Sequence, residues 1–139
     1  MKVRDCIFFQ LIKASQTGAA YWADKVAHLG VTASQAMVLN FLGEEDRIPS
    51  HQLGQKLGIT SATMTGILDR LEKMALIERR SHPEDRRAIL VCLTNAGRQI
   101  ATEINAIMVV ANKTFLDQFK FQYQAEFQNV LKQIWKAAT

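Results

Sequence analysis

The chain has 139 residues, room for one domain and little beyond it, and 48% of them are apolar, enough to bury a core and to exclude a disordered chain. Its net charge of +4 is compatible with a polyanionic partner without demanding one. No apolar run approaches the roughly 18 residues of a membrane span, so no membrane partner is expected. The first residues, MKVRDCIFFQLIKASQ, interleave charges with apolar positions and lack a small-residue cleavage site. They read as a helix rather than a signal peptide, and the expected location is a bacterial-type cytoplasm. Cys6 and Cys92 stand far apart and form no C-x-x-C pair, which excludes a disulfide framework and a zinc site of the usual spacing.

Apolar residues at helical spacing (Ile7, Phe8, Leu11, Ile12, then Tyr21, Trp22 and Val26) predict a helix from about Arg4 to His28, with Gly18 a candidate bend and Gly30 the stop. Thr32-Ala33-Ser34-Gln35 has the form of a capping box, and a second helix follows through Met37, Val38, Phe41 and Leu42 to Gly43. Arg47-Ile48-Pro49 is long enough only for an extended link or a minimal strand. Ser50 is the expected cap of a short helix, His51 to Leu57, that stops at Gly58. Thr60 is the expected cap of the next, Ser61 to about Met74, with Met64, Ile67, Leu68 and Leu71 on one face. Two short helices joined by Leu57-Gly58-Ile59-Thr60 make a helix-turn-helix candidate, and Gly54 lies where the first helix needs a small residue to let the second approach.

The period then changes. Leu76–Arg80 and Ala88–Leu93 read as two strands, and the polar, proline-containing stretch Ser81–Arg87 between them reads as a hairpin loop, a wing. Thr94 is the expected cap of a long helix from Asn95 to about Phe119, and a last helix runs from about Gln122 to Lys136. The expected class is therefore mainly α with one β-hairpin.

A helix enters the DNA major groove best when its first turn is small and polar, because short side chains and amides must reach base edges and phosphates. Ser61, Thr63 and Thr65 supply hydroxyls, Ala62 and the threonine methyls can meet thymine methyls, and Gly66 allows close approach. Taken alone, the stretch is more economically read as a cap followed by solvent-facing residues. The hairpin alters that balance. An arginine at its tip, Arg86 or Arg87, can enter the minor groove, with the nearby Asp85 carboxylate to orient it.

From Val31 to Glu103 the chain resembles the MarR family of bacterial regulators. The residues that carry the likeness are VTASQAMVLNFL, the helix pair HQLGQKLGITSATMTGILDRLEK, the hairpin LIERRSHPEDRRAILVCLT and the helix opening NAGRQIATE. Within these, Asp85-Arg86-Arg87 and the spacing of Leu93, Thr94 and Gly97 are distinctive together. The resemblance implies a winged helix-turn-helix core, residues 31–94, inside a single domain spanning 1–139, with residues 1–30 and 95–139 as dimerisation helices. It implies that Ser61, Ala62, Thr63, Thr65 and Gly66 face the major groove and that Arg70 contacts backbone or bases. Arg87 would be the minor-groove arginine, Asp85 its orienting partner and Arg86 a phosphate contact. The chain departs from the family at Ala75, where a glycine often follows the recognition helix. If Ala75 is left-handed, that costs about 1 kcal/mol.

The expected partners are double-stranded DNA and a second copy of the chain. Phe115, Leu116, Phe119, Phe121, Phe127, Leu131, Ile134 and Trp135 are more apolar residues than one small flank needs, and in the family the first and last helices of two subunits interlock. A symmetric dimer would present two recognition helices to the halves of a palindromic operator. The implied activity is repression, relieved by a small aromatic effector or by oxidation. Tyr21, Trp22 and the early phenylalanines could line an effector cleft or pack in the core. Cys6 falls in the region where the peroxide-sensing branch keeps its thiol. Its neighbours Asp5, Ile7, Phe8 and Phe9 supply no thiolate stabiliser, which favours a packed or idle cysteine. Cys92, within a strand, reads as packing. No cofactor is expected, and scattered His28, His51 and His82 offer neither a metal set nor a catalytic arrangement, so no enzymatic role is expected. The rival reading is a winged-helix module for protein–protein contact with DNA binding lost.

Overall fold

A computed structural model describes residues 1–137; the last two residues of the expected C-terminal dimerisation segment, 138 and 139, lie outside the described residues. The chain forms two compact units, Met1–Ile107 and a second from Met108 onward. In chain order the elements are α1 (Ile7–Val26), α2 (Ala33–Glu44), β1 (Ile48–Pro49), α3 (Ser50–Leu57), α4 (Ser61–Lys73), β2 (Ile77–Ser81), β3 (Ile89–Leu93), α5 (Asn95–Leu116) and α6 (Phe121–Ala137). The class is mainly helical, as the periodicity predicted, with a three-stranded antiparallel sheet in the order β1-β3-β2.

In the first unit, α1 begins later than its apolar pattern suggested, because Val3–Asp5 forms a separate 3-10 turn and Cys6 is the N-cap residue rather than a helical one. The helix then runs through Gly18 as one element. Gly30, with φ of 73°, turns the chain by adopting the left-handed conformation open to glycine. The capping box at α2 is formed: Thr32 Oγ1 accepts from the Gln35 amide at 3.2 Å, and Gln35 Oε1 accepts from the Thr32 amide at 2.9 Å. Trp22 is buried and its indole N–H donates to the Ala33 carbonyl, 3.2 Å away, which ties α1 to the start of α2. It packs in the core.

Ser50 does not cap α3. It is the first helical residue, and Pro49 occupies the N-cap position with no side-chain bond. The reason is the sheet: Ile48 pairs with Val91 and Pro49 with Leu90, so the chain stays extended up to Pro49. The proline ring then sets the φ of −58° from which the helix starts. β2 starts and ends one residue later than expected, because Leu76 is used to close α4, and β3 starts at Ile89 rather than Ala88 and ends at Leu93 as expected. The Leu76 amide donates to the Leu71 carbonyl at 3.0 Å, and the Ala75 amide to Glu72 at 2.9 Å. These two bonds form a Schellman motif, with Ala75 at the left-handed position, φ of 57°.

The core of this unit is built from Val38, Leu39, Leu42, Leu53, Leu71, Ile77, Val91 and Ile104, drawn from α2, α3, α4, α5 and both hairpin strands. The Asp46 carboxylate binds the loop before β1 to the rest, accepting from the amides of Arg47 (2.8 Å) and Leu93 (2.9 Å) and pairing with Arg98 at 3.2 Å. Thr94 caps α5 as expected: its Oγ1 accepts from the Gly97 amide at 3.0 Å and donates to the Ala75 carbonyl at 2.7 Å. Gly97 is obligatory there. A Cβ on it would overlap the Leu76 carbonyl oxygen and lie 2.8 Å from the carbonyl carbon.

The second unit comprises the last turns of α5, which ends at Leu116 rather than Phe119, and α6. The Gln124 side-chain amide closes α5, donating to the carbonyls of Leu116 (2.9 Å) and Phe119 (3.1 Å). Phe115, Phe119 and Phe127 form a chain of ring contacts with centroids 5.7 and 5.6 Å apart. None of the described residues of α6 is buried. Among the described residues no single helix is long and apolar enough to cross a membrane.

Candidate nucleic-acid interface

The turn between α3 and α4 is built from local chemistry. Gly58 is left-handed at φ of 64°, and the Ile59 amide donates back to the Gly54 carbonyl at 2.9 Å. A Cβ on Gly54 would lie 3.1 Å from the Ile59 carbonyl oxygen, so the small residue expected there answers to the turn itself. Thr60 then caps α4, accepting from the Thr63 amide at 3.4 Å.

From that start, α4 divides its residues by the helical period. Met64, Ile67, Leu68 and Leu71 are buried, while Ser61, Ala62, Thr63, Thr65, Gly66 and Arg70 are all exposed. The hydroxyls are already oriented. Thr60 Oγ1 donates to Thr63 Oγ1 at 3.0 Å, which leaves the Thr63 proton free to donate outward. Thr65 Oγ1 donates to the Ser61 carbonyl at 2.9 Å, which leaves its lone pairs as acceptors. An open groove of about 710 Å³ lies beside this face, bordered by Ser50, Gln55, Ser61, Thr65 and Arg79.

The hairpin supplies the second half of the site. Asp85, Arg86 and Arg87 are exposed at its tip. Asp85 orders the turn through the backbone, its carboxylate accepting from the Arg87 amide at 2.9 Å and its carbonyl from Ala88 at 3.0 Å. It forms no ion pair with the Arg87 guanidinium among the described residues, so its hold on Arg87 acts on the main chain. Two residues outside the expected set also shape the site. Arg79 on β2 pairs with Asp69 and, at 3.4 Å, with Glu72, both on α4, and so joins hairpin to helix. The His82 ring faces the amides of Glu84 and Asp85. The alternation of β2 put Arg79 on the inner face and could have signalled it. Nothing in the residue type marked His82.

The charges sort cleanly. Of the arginines on α4 and the hairpin, Arg79 and Arg80 are neutralised by carboxylates, whereas Arg70, Arg86 and Arg87 have no ion pair among the described residues. Guanidinium groups left exposed and unpaired are available to phosphate or base edges. No group of His, Cys, Asp and Glu side chains suited to a metal occurs among the described residues. Burial pushes the Cys92 thiol up from its ordinary value, with the Asp46 carboxylate adding to the effect, so it is a protonated packing group.

A hydroxyl-rich helix set behind a glycine turn and tied by an arginine to an antiparallel hairpin defines a class, the winged helix-turn-helix transcriptional regulators that bind DNA. Comparison with known proteins narrows the class. The MarR family model matches residues 29–88. A probable transcriptional regulator from Pseudomonas aeruginosa, known from its crystal structure, is 33% identical, with 96% of this chain and 99% of that one covered and a TM-score of 0.88. The organic hydroperoxide resistance transcriptional regulator of Bacillus subtilis is 30% identical over 97 residues, which span 70% of this chain and 66% of the relative. The crystal structure of the MepR–DNA complex from S. aureus shares the fold at 19% identity, with a TM-score of 0.85 over 95% of this chain and 98% of MepR. The chain belongs to the MarR family.

Proposed function

We propose that this chain is a repressor that binds a palindromic operator as a homodimer, with α4 in the major groove and the hairpin tip in the adjacent minor groove. The observation that carries this reading is the segregation of charge: Arg70, Arg86 and Arg87 are exposed without ion pairs on the two elements that would meet DNA, while the neighbouring Arg79 and Arg80 are neutralised. Ser61, Ala62, Thr63, Thr65 and Gly66 read the major groove, Arg70 contacts backbone or bases, Arg86 contacts a phosphate, Arg87 enters the minor groove, and Asp85 fixes the turn beneath it. MepR, of the same fold, was crystallised on DNA, which supports the same use here.

The second copy is supported by apolar surface at the start of α1 and on α6. Phe8 is 72% exposed and Phe121 89%. Two copies would place two α4 helices about one DNA turn apart. The signal that ends repression is a small aromatic molecule or an oxidant. The relative named for organic hydroperoxide resistance supports the latter, and Cys6, half-buried at the head of α1, is the thiol within reach of solvent. A cytoplasmic location goes with this function, and no catalytic step is part of it.

The test is fluorescence anisotropy of the purified chain on DNA upstream of its own gene and on fragments it selects from genomic DNA, against scrambled competitor at two salt concentrations. Competitor-resistant, salt-sensitive binding is expected, weakened about fivefold or more by Arg87→Ala (about 1–3 kcal/mol) and changed in sequence preference by Thr63→Val. Binding that scrambled DNA competes away for every fragment would return the fold to the protein-contact reading. Elution as a monomer at micromolar concentration would overturn the dimer.

A further inference from the structure

The arginines at the hairpin tip are useful only if the loop beneath them holds one shape, and we infer that His82 is the positioning residue that holds it. This rests on the DNA-binding reading above. His82 Nδ1 lies 3.1 Å from the Glu84 amide and 3.3 Å from the Asp85 amide and accepts from both. A ring nitrogen that accepts carries no proton, so this role requires the tautomer with its hydrogen on Nε2. The main chain of the same residue closes the loop, its amide donating to the Ala88 carbonyl at 3.0 Å, while Ala88 donates to Asp85 at 3.0 Å. With the Asp85 carboxylate on the Arg87 amide, the amides of His82, Glu84, Asp85, Arg87 and Ala88 are all bound within the loop. Pro83, between the two halves of the staple, has no amide to satisfy and a fixed φ.

The ring does here what an Asn or Asp side chain does in an Asx turn, accepting from amides two and three residues ahead. It contributes no charge, so its effect on DNA binding differs in kind from that of Arg87. A cationic side chain placed in the negative potential of the minor groove displaces counterions and adds to the salt dependence of binding, whereas a residue that preorganises the loop changes affinity and leaves the salt dependence alone.

The experiment uses the full chain and the tightest fragment it selects from genomic DNA, with His82→Leu, His82→Asn and Arg87→Ala compared over a range of salt. Loss of two acceptor bonds in His82→Leu is expected to weaken binding about tenfold with an unchanged salt slope. His82→Asn, which restores an acceptor, is expected to bind within about threefold of the parent. Arg87→Ala weakens binding and flattens the slope. In the free protein, ¹⁵N spectra of the ring are expected to show an unprotonated Nδ1, and the Glu84 and Asp85 amides to exchange faster in His82→Leu than in His82→Asn.

If the unaltered chain selects no fragment, the DNA-binding reading fails and takes this inference with it. If the parent binds and Arg87→Ala weakens it while His82→Leu does not, the inference alone fails. Equal weakening by Leu and Asn, or a protonated Nδ1 in the free protein, also overturns it, because the acceptor would then not be what matters. Thermal unfolding of each variant separates a poorly folded protein from a loosened loop, and the ring ¹⁵N spectrum of the parent decides the matter should His82→Leu not fold.

Discussion

Replacing Ala75 by glycine should make the protein more stable, an unusual direction for a substitution that removes a side chain. Ala75 sits at φ of 57° in the Schellman motif that ends α4, where its Cβ crowds the following carbonyl. Holding an L-residue there costs about 1–2 kcal/mol, a cost glycine does not incur. Against this, glycine gives the unfolded chain more freedom, which takes back about 0.4–1 kcal/mol. Ala75 is exposed, so losing its methyl sacrifices little buried contact. The net expectation is stabilisation by about 0.5–1 kcal/mol, or a rise of about 2–6 °C in Tm. The assay is urea unfolding followed by circular dichroism at one fixed protein concentration, since association would contribute to the midpoint. Ala75→Val is the control and should move the midpoint down, because a β-branched residue tolerates this conformation least. A lower or unchanged midpoint in Ala75→Gly, with the slope unaltered, would refute the reasoning and mean that the helix end relaxes at no cost. DNA affinity should be the same in parent and variant, because Ala75 is outside the reading face.

Gly97→Ala should act in the opposite sense, since its Cβ would meet the Leu76 carbonyl, which is fixed backbone at the junction of α4, β2 and α5. A loss of about 3 kcal/mol or more is expected, seen as a collapse in soluble yield or urea midpoint, and a variant as stable as the parent would show that the helix end can shift. The two thiols should part in reactivity. In the native protein at pH 8, iodoacetamide should label half-buried Cys6 while buried Cys92, its thiol held protonated, reacts only after unfolding. Mass spectrometry of the labelled peptides reads the result directly, and prompt native labelling of Cys92 would contradict its burial.

The candidate site consists of two elements that share a core, and Arg79 adds an ion-pair link between them. Arg79 reaches from β2 to Asp69 and Glu72 on α4, so the spacing between the hairpin and the reading helix is fixed before DNA is met. Preorganisation of this kind lowers the ordering cost of binding. It also accounts for why Arg79 is pinned while Arg70, Arg86 and Arg87, a short distance away in sequence, are left to the solvent.

Much of the fold lay in the sequence because the determining interactions are local. The capping box of Thr32 and Gln35, the left-handed stop at Gly58, the cap at Thr60 and the division of α4 into buried and exposed residues each depend on groups within four positions of one another. The left-handed Ala75 was signalled only by the family resemblance, in which glycine often stands at this position. What the sequence misassigned was set by partners far along the chain. Ser50 lost its capping role to Pro49 because β3, some forty residues later, holds β1 extended. Trp22, left open between cleft and core by its residue type, is buried with its N–H on the Ala33 carbonyl. The close fit at Gly97 exists only because Leu76 is delivered to it by the end of another helix. At the hairpin tip, the residue types announced an arginine pair and an orienting carboxylate, but which atoms hold the loop was decided in space. The Asp85 carboxylate takes an amide instead of a guanidinium, and a histidine ring supplies the staple. Periodicity and caps act over a single turn and can be read from a string of letters, whereas the choice of hydrogen-bond partner depends on which groups packing brings within 3 Å or so of each other.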